Sequence, residues 1–123
     1  MSSAAFGELL ESLREVGTSH LSAMNVSRVL GVPYQDLAEM ANVHRNTLRT
    51  NPGSPPLQSV LRDLMRVLLA AAAVQSDPQR AIFLIKNEPI PAFRDKTLLQ
   101  LVGEGRTEDA VSYLESIGTG FVG

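Results

Sequence analysis

The chain has 123 residues, no cysteine and a formal net charge of −2. This length is sufficient for one domain with a buried core, and the lack of cysteine excludes disulfides and cysteine-ligated zinc. The longest apolar run, residues 67–74, is too short to cross a bilayer. The first residues show no basic segment ahead of an apolar one. We therefore expect a cytoplasmic protein with no membrane partner.

Charge is distributed unevenly along the chain. Residues 25–86 hold seven basic and four acidic side chains, whereas residues 87–123 hold three basic and six acidic ones. A mildly basic middle segment permits contact with nucleic acid. The acidic C-terminal third suits a basic surface on a partner.

In the N-terminal half, apolar residues at three- and four-residue steps predict short helices. They cover residues 6–16, 25–30, 33–42 and 44–50. Gly17 ends the first helix, Asn25 is the expected N-cap of the second, and Gly31 ends the second. Pro33 suits the first turn of the third helix, which ends at Asn42.

In the C-terminal half the same spacing predicts a long core helix and three shorter ones. They cover residues 57–74, 78–88, 96–102 and 108–117. The expected N-caps are Asp77, Asp95 and Thr107, and Gly118 is expected to close the last helix. Four alanines at 70–73 permit close helix approach, either within the chain or between two copies. No segment alternates with a period of two, so the fold class is all-α.

Residues 34–51 fit a DNA-reading helix-turn-helix, in which a second short helix enters the major groove. Ala38 allows the two helices to cross closely, Asn42 tolerates the left-handed turn, and Leu48 faces the core. The residues expected to contact DNA are His44, Arg45, Asn46, Thr47 and Arg49. Arginine contacts guanine edges or phosphates, and asparagine pairs with adenine. The same residues also describe an ordinary solvated helix face.

Motifs for catalysis or for metal binding are not apparent in the sequence. His20 and His44 have no carboxylate at ligand spacing, and there is no glycine-rich phosphate loop or nucleophile elbow. Glu108 and Asp109 fall near a helix N-terminus, where acidic residues complement the helix dipole. We therefore expect a protein that is not an enzyme and that holds no metal and no cofactor of its own.

From residue 82 onward the chain resembles the Xre/MbcA/ParS-type antitoxins, and its last residues resemble the MbcA branch. The matching pieces are residues 87–91, 96–102, Gly105, 110–117 and 118–123. A helix-turn-helix followed by these pieces is also that family's order, so the resemblance covers residues 25–123. The chain departs from many relatives in having Phe83 where they carry a tryptophan.

The resemblance implies a toxin-binding C-terminal segment. Such antitoxins partner RES-type toxins, which consume NAD, and they cover the toxin's active site. They usually form dimers within larger toxin–antitoxin complexes and bind their own operator DNA. NAD would belong to the toxin.

The residues expected to bind the toxin are charged side chains near the last helices and the glycine-framed apolar tail. They are Arg94, Glu104, Arg106, Gly120, Phe121, Val122 and Gly123. Burial of Phe121 and Val122 on a partner would be favourable. The alternative is that the tail packs on the chain's own core.

The predicted organisation has three parts. Residues 1–24 form an N-terminal helix, residues 25–76 the helix-turn-helix region and long helix, and residues 77–123 the toxin-binding segment. The function expected is that of a type II antitoxin that blocks a RES-type toxin and binds its operator. The alternatives are a stand-alone helix-turn-helix transcriptional regulator and a structural interaction module.

Overall fold

The computed structural model describes residues 2–14 and 20–119, and these residues fold into eight α-helices joined by short connections. The helices are α1 (Ser2–Ser12), α2 (Ala23–Leu30), α3 (Tyr34–Ala41), α4 (Thr47–Thr50), α5 (Pro55–Val74), α6 (Pro78–Asn87), α7 (Leu98–Gly103) and α8 (Thr107–Thr119). A single 3-10 turn, Pro91–Phe93, lies between α6 and α7. The all-α fold class is confirmed.

Helix α5 is the centre of the molecule. It begins with two prolines, which suit the first turn of a helix because the amide hydrogens there have no helical partner. Its buried side chains recur at helical spacing: Leu57, Leu61, Leu64, Val67, Leu68 and Ala71. This stripe contacts α3, α6, α7 and α8, so one buried cluster runs from Leu13 to Leu114. The division into three parts stays a prediction.

One polar side chain, Gln58, lies on the buried side of α5 and is only 4% exposed. Its Oε1 accepts a hydrogen bond from the backbone amide of Leu21 at 2.9 Å. Its Nε2 donates to the carbonyl oxygen of Leu21 at 2.9 Å and to that of Pro52 at 2.8 Å. Gln58 therefore satisfies three backbone groups and joins the segment before α2 to the loop after α4.

Three predicted helix ends are confirmed. Gly31 and Asn42 follow α2 and α3 with left-handed backbones, at φ 67° and 56°. Asp77 caps α6, and its Oδ1 accepts a hydrogen bond from the amide of Gln79 at 3.1 Å. Each of these ends is set by a residue whose local chemistry favours it.

The predicted boundaries near the N-terminus are wrong in two places. Helix α1 ends at Ser12, and the chain then turns so that the Leu13 carbonyl accepts from the amide of Ser22. Ser22, not Asn25, caps α2, and its Oγ accepts from the Asn25 amide at 3.1 Å. The Asn25 side chain instead donates to the Ser12 carbonyl at 2.8 Å. Val16 and Gly17 lie outside the described residues.

Three predicted ends near the C-terminus are also wrong. The N-cap of α7 is Thr97, not Asp95, because Thr97 and Gln100 form a reciprocal capping box. Thr107 is the first residue of α8 rather than its cap, and its buried hydroxyl has no hydrogen-bond partner among the described residues. Gly118 lies inside α8, which continues to Thr119.

An ion pair joins the two longest helices of the C-terminal half, with Arg66 Nη1 2.8 Å from Glu108 Oε2. The Arg66 hydrogen bond and charge lower the pKa of Glu108 below its ordinary value. A carboxyl group with a lowered folded pKa stabilises the fold above its unfolded pKa, and this stabilisation is lost as the pH falls through the folded pKa. We expect Glu108→Gln to lower the melting temperature slightly at neutral pH, because both side chains are exposed.

The difference between this variant and the parent should shrink on acidification and vanish once Glu108 is protonated. Thermal denaturation followed from about pH 7 to about pH 3 measures it. Glu88→Gln, at another exposed glutamate outside the ion pairs of the described residues, is the matched control. A difference between Glu108→Gln and the parent that persists in acid would contradict the assignment.

Candidate functional site

The predicted DNA-contacting residues lie on and just before α4, and we call them the α4 surface: His44, Arg45, Asn46, Thr47 and Arg49. The helix is shorter than predicted, because residues 44–46 form a turn. In that turn His44 Nδ1 accepts a hydrogen bond from the Asn46 amide at 3.1 Å. Leu48 is buried and fixes α4 to the core. Four of the five side chains are exposed, and Thr47 is half-buried.

Two arginines of the α4 surface carry its positive charge. Neither Arg45 nor Arg49 forms an ion pair within the part of the chain that the structure describes, and both are exposed. Arg49 also lines a cavity of about 410 Å³, together with Met24 and Tyr34. Unpaired guanidinium groups on one surface have the chemistry needed for contacts with phosphate oxygens.

A tight loop between α6 and α7 positions the charged residues of the C-terminal part. Its ends pair, with the Ile90 amide donating to the Lys96 carbonyl at 3.0 Å. Between them Arg94 and Asp95 both have left-handed backbones, at φ 59° and 63°. Two adjacent left-handed residues that are not glycine are costly, and such strain often accompanies functional positions. The loop directs Arg94 toward a cavity.

That cavity has a volume of about 270 Å³ and is lined by Ala92, Phe93, Arg94, Lys96 and Arg106. We call these five residues the charged pocket. The Arg106 guanidinium carbon lies 5.2 Å from the centroid of the Phe93 ring, in cation–π geometry. Tyr113 packs edge-on against the same ring, with centroids 6.3 Å apart. An aromatic pair thus holds one of the three cations in place.

Carboxylates surround the charged pocket and order two of its cations. Glu104 Oε2 lies 2.6 Å from Lys96 Nζ, and Glu104 Oε1 lies 3.9 Å from Arg106 Nη1. Asp109 Oδ2 accepts a hydrogen bond from Arg106 Nε at 2.8 Å. Arg94 is exposed and has no ion pair among residues 2–14 and 20–119. A partner can therefore bind Arg94 without breaking an ion pair among the described residues.

The structure brings together three of the predicted toxin-binding residues. Arg94 and Arg106 line the same cavity, and Glu104 Oε1 lies 3.9 Å from Nη1 of Arg106. The remaining four, at 120–123, lie outside the described residues.

Phe93, Lys96 and Asp109 belong to the same network and were not predicted. The three-residue step from Arg106, the residue before α8, to Asp109 in the first turn of α8 is a signal that sequence alone provides. The approach of Phe93 to Arg106 depends on the fold.

The described residues, 2–14 and 20–119, offer neither a metal site nor a membrane-spanning helix. No group of three or more His, Cys, Asp or Glu side chains there has the geometry to hold a metal ion. None of the helices in that part of the chain has the length and apolar character that crossing a membrane requires. Comparison of the chain with protein-family models, with curated proteins and with solved structures gave no match.

Proposed function

We propose that this protein is a cytoplasmic antitoxin that binds and blocks a RES-type NAD-consuming toxin and also binds its own operator DNA. The observation that carries the proposal is the charged pocket, which holds Arg94 and Arg106 and lies beside Glu104, within the segment that resembles the toxin-binding part of the family. An antitoxin that blocks its toxin by covering the active site needs a surface of matching shape and charge, and it needs no catalytic group. The proposal includes a homodimer within a larger toxin–antitoxin complex.

The charged pocket has features of an energetically important contact site. Arginine and aromatic residues dominate binding energy at interfaces when they are held in place before the partner arrives. Arg106 is held by Phe93, Glu104 and Asp109, so little side-chain freedom is lost when it is covered. Arg94 supplies an unpaired guanidinium at the rim, which suits a carboxylate on the toxin.

The α4 surface supports the second half of the proposal. Asn42 provides the left-handed turn between α3 and α4, and Arg45 and Arg49 are exposed without ion pairs in the described part of the chain. This observation also favours the alternative, a stand-alone transcriptional regulator. The regulator would bind a specific site with the same side chains and would have no toxin partner.

Co-expression with the neighbouring reading frame tests the antitoxin function. We expect the two proteins to co-purify and the complex to consume NAD far more slowly than the toxin alone. A chain that stops after Thr119 leaves α8 complete and removes only residues 120–123. If the tail blocks the active site, this truncation should restore NAD consumption while the complex still forms through the charged pocket.

Two variants sharpen the experiment. Arg94→Ala should weaken the complex about tenfold or more, which corresponds to roughly 1.4 kcal/mol. Arg80→Ala, which removes an exposed arginine of α6, is the matched control and should have no effect. If no complex forms and the purified protein instead binds its upstream DNA, the antitoxin proposal is wrong and the regulator replaces it.

A further inference from the structure

The cavity of about 410 Å³ beside the α4 surface lies between the first residues of α2 and α3 and the end of α4, and we call it the α4 cavity. Most of its lining is apolar or aromatic, and one lining residue is a cation. The lining includes Ala23, Met24, Tyr34, Leu48, Pro52 and Arg49. A cavity of about 150 Å³ already admits benzene, so the α4 cavity has room for a larger planar molecule.

The walls of the α4 cavity are held in place by contacts described above. Gln58 bonds to the backbone of Leu21 on one side of the cavity and to the carbonyl of Pro52 on the other. Ser22 caps α2 at the point where that helix lines the cavity. Leu48 is buried and fixes α4. Because the walls are formed in advance, a ligand loses little affinity to ordering them.

Three of the lining side chains favour an aromatic ligand. Met24 is 60% exposed, although it is a large apolar side chain, and a thioether sulfur packs favourably against aromatic rings. Tyr34 is half-buried and presents a ring against which a second ring can pack. The planar guanidinium of Arg49 also stacks on aromatic faces. A flat ring system therefore matches the cavity better than an aliphatic chain does.

Arg49 determines the charge of a matching ligand. It is exposed and has no ion pair in the part of the chain that the structure describes, and no acidic residue lines the cavity. A guanidinium binds a carboxylate through two parallel hydrogen bonds, which fixes orientation as well as charge. The α4 cavity is therefore complementary to an anion.

We propose that the α4 cavity is a binding site for a small aromatic carboxylate. The ring system lies against Met24 and Tyr34, and the carboxylate pairs with Arg49. Arg49 also belongs to the α4 surface, so a bound carboxylate occupies a guanidinium that the proposed DNA contact uses, and the ligand should weaken DNA binding. This last consequence rests on the proposed function, whereas binding of the ligand does not.

Titration of the full-length protein with cinnamate tests the proposal. Cinnamamide has the same shape and no charge, so it is the matched ligand. We expect cinnamate to bind saturably to one site with a Kd of about 1 mM or lower. Cinnamamide should bind at least about tenfold more weakly, because it cannot form the charge-assisted pair with Arg49. Isothermal titration calorimetry measures both.

Two variants test the role of Arg49. Arg49→Gln should weaken cinnamate binding about tenfold or more and leave cinnamamide binding unchanged. Arg28→Gln removes the same charge from an exposed position of α2 that does not line the cavity. This control should change the Kd for cinnamate by no more than about twofold, because exposed charges are screened by salt.

The four methionines of the chain locate the bound ring. In methyl NMR spectra, the ring current of cinnamate should shift the methyl signal of Met24, which lines the cavity. The methyl signal of Met65, which lies on α5 and does not line it, should stay in place.

Each of the other outcomes overturns the proposal. If cinnamate does not bind saturably, the cavity is not such a site. Equal affinity for cinnamamide, or an unchanged Kd in Arg49→Gln, shows that Arg49 does not recognise a carboxylate. A shift of Met65 without a shift of Met24 places the ligand elsewhere. These titrations contain neither DNA nor a toxin, so failure of this proposal is distinguishable from failure of the proposed function.

Discussion

Replacing Gln58 with leucine is expected to lower the free energy of unfolding by about 3 kcal/mol. Leucine has a similar volume, so the packing of α5 is largely kept. The amide and carbonyl of Leu21 and the carbonyl of Pro52 lose their hydrogen-bond partner in a buried setting. Each unsatisfied buried group costs about 1–3 kcal/mol, and partial access of water recovers some of that cost. Urea denaturation measures the loss.

Gln79→Leu is the matched control for Gln58→Leu. Gln79 is exposed on α6, and the same chemical change there should alter the free energy of unfolding by no more than about 0.5 kcal/mol. A Gln58→Leu variant within about 1 kcal/mol of the parent would show that the three hydrogen bonds contribute little beyond what water supplies.

If the protein binds operator DNA as proposed, the double variant Arg45→Ala and Arg49→Ala is expected to weaken this binding at least roughly 30-fold, or about 2 kcal/mol. Both guanidinium groups are exposed on the α4 surface, and the described residues provide no carboxylate that competes for them. If both contact phosphates, the slope of log K against log salt should also fall by about two. Binding titrations at several salt concentrations give both quantities.

A variant with the same change of net charge separates a local contact from general electrostatic attraction. Arg62→Ala with Arg80→Ala removes two exposed arginines from α5 and α6. It should reduce DNA affinity far less than the α4 variant does. An equal loss in the two variants would mean that the α4 surface has no special role. Co-purification with the proposed toxin partner should be unchanged in both, because neither variant alters the charged pocket.

Helix ends were predictable from sequence where one residue type decides them alone. Gly31 and Asp77 act through their own backbone freedom or side-chain oxygen, and they are placed correctly. The sequence pattern favours Asp95 as the cap of α7, but the cap is Thr97, which has the three-residue spacing to Gln100 of a capping box. Ser22 rather than Asn25 caps α2. The Asn25 side chain instead donates a hydrogen bond to the carbonyl of Ser12 at the end of α1, a contact that only the folded chain creates.

The two candidate sites also differ in how far the local sequence predicts them. The α4 surface follows from local spacing, since Leu48 faces the core and its neighbours face solvent. The charged pocket does not, because Phe93 and Arg106 are thirteen positions apart and meet only when α7 reverses the chain. The sequence does not mark Gln58 as a structural residue either. Its partners Leu21 and Pro52 are backbone groups, which carry no signature in the sequence.

The left-handed backbone at Arg94 has a consequence for natural variation among relatives of this chain. Glycine would relieve the strain at φ 59°, so drift without selection should replace Arg94 by glycine or asparagine. A relative that keeps arginine or lysine at this position retains the conformational cost of the left-handed backbone. Under the proposed function, arginine or lysine at this position is expected in relatives that bind a partner through the charged pocket, and glycine is expected in relatives that do not.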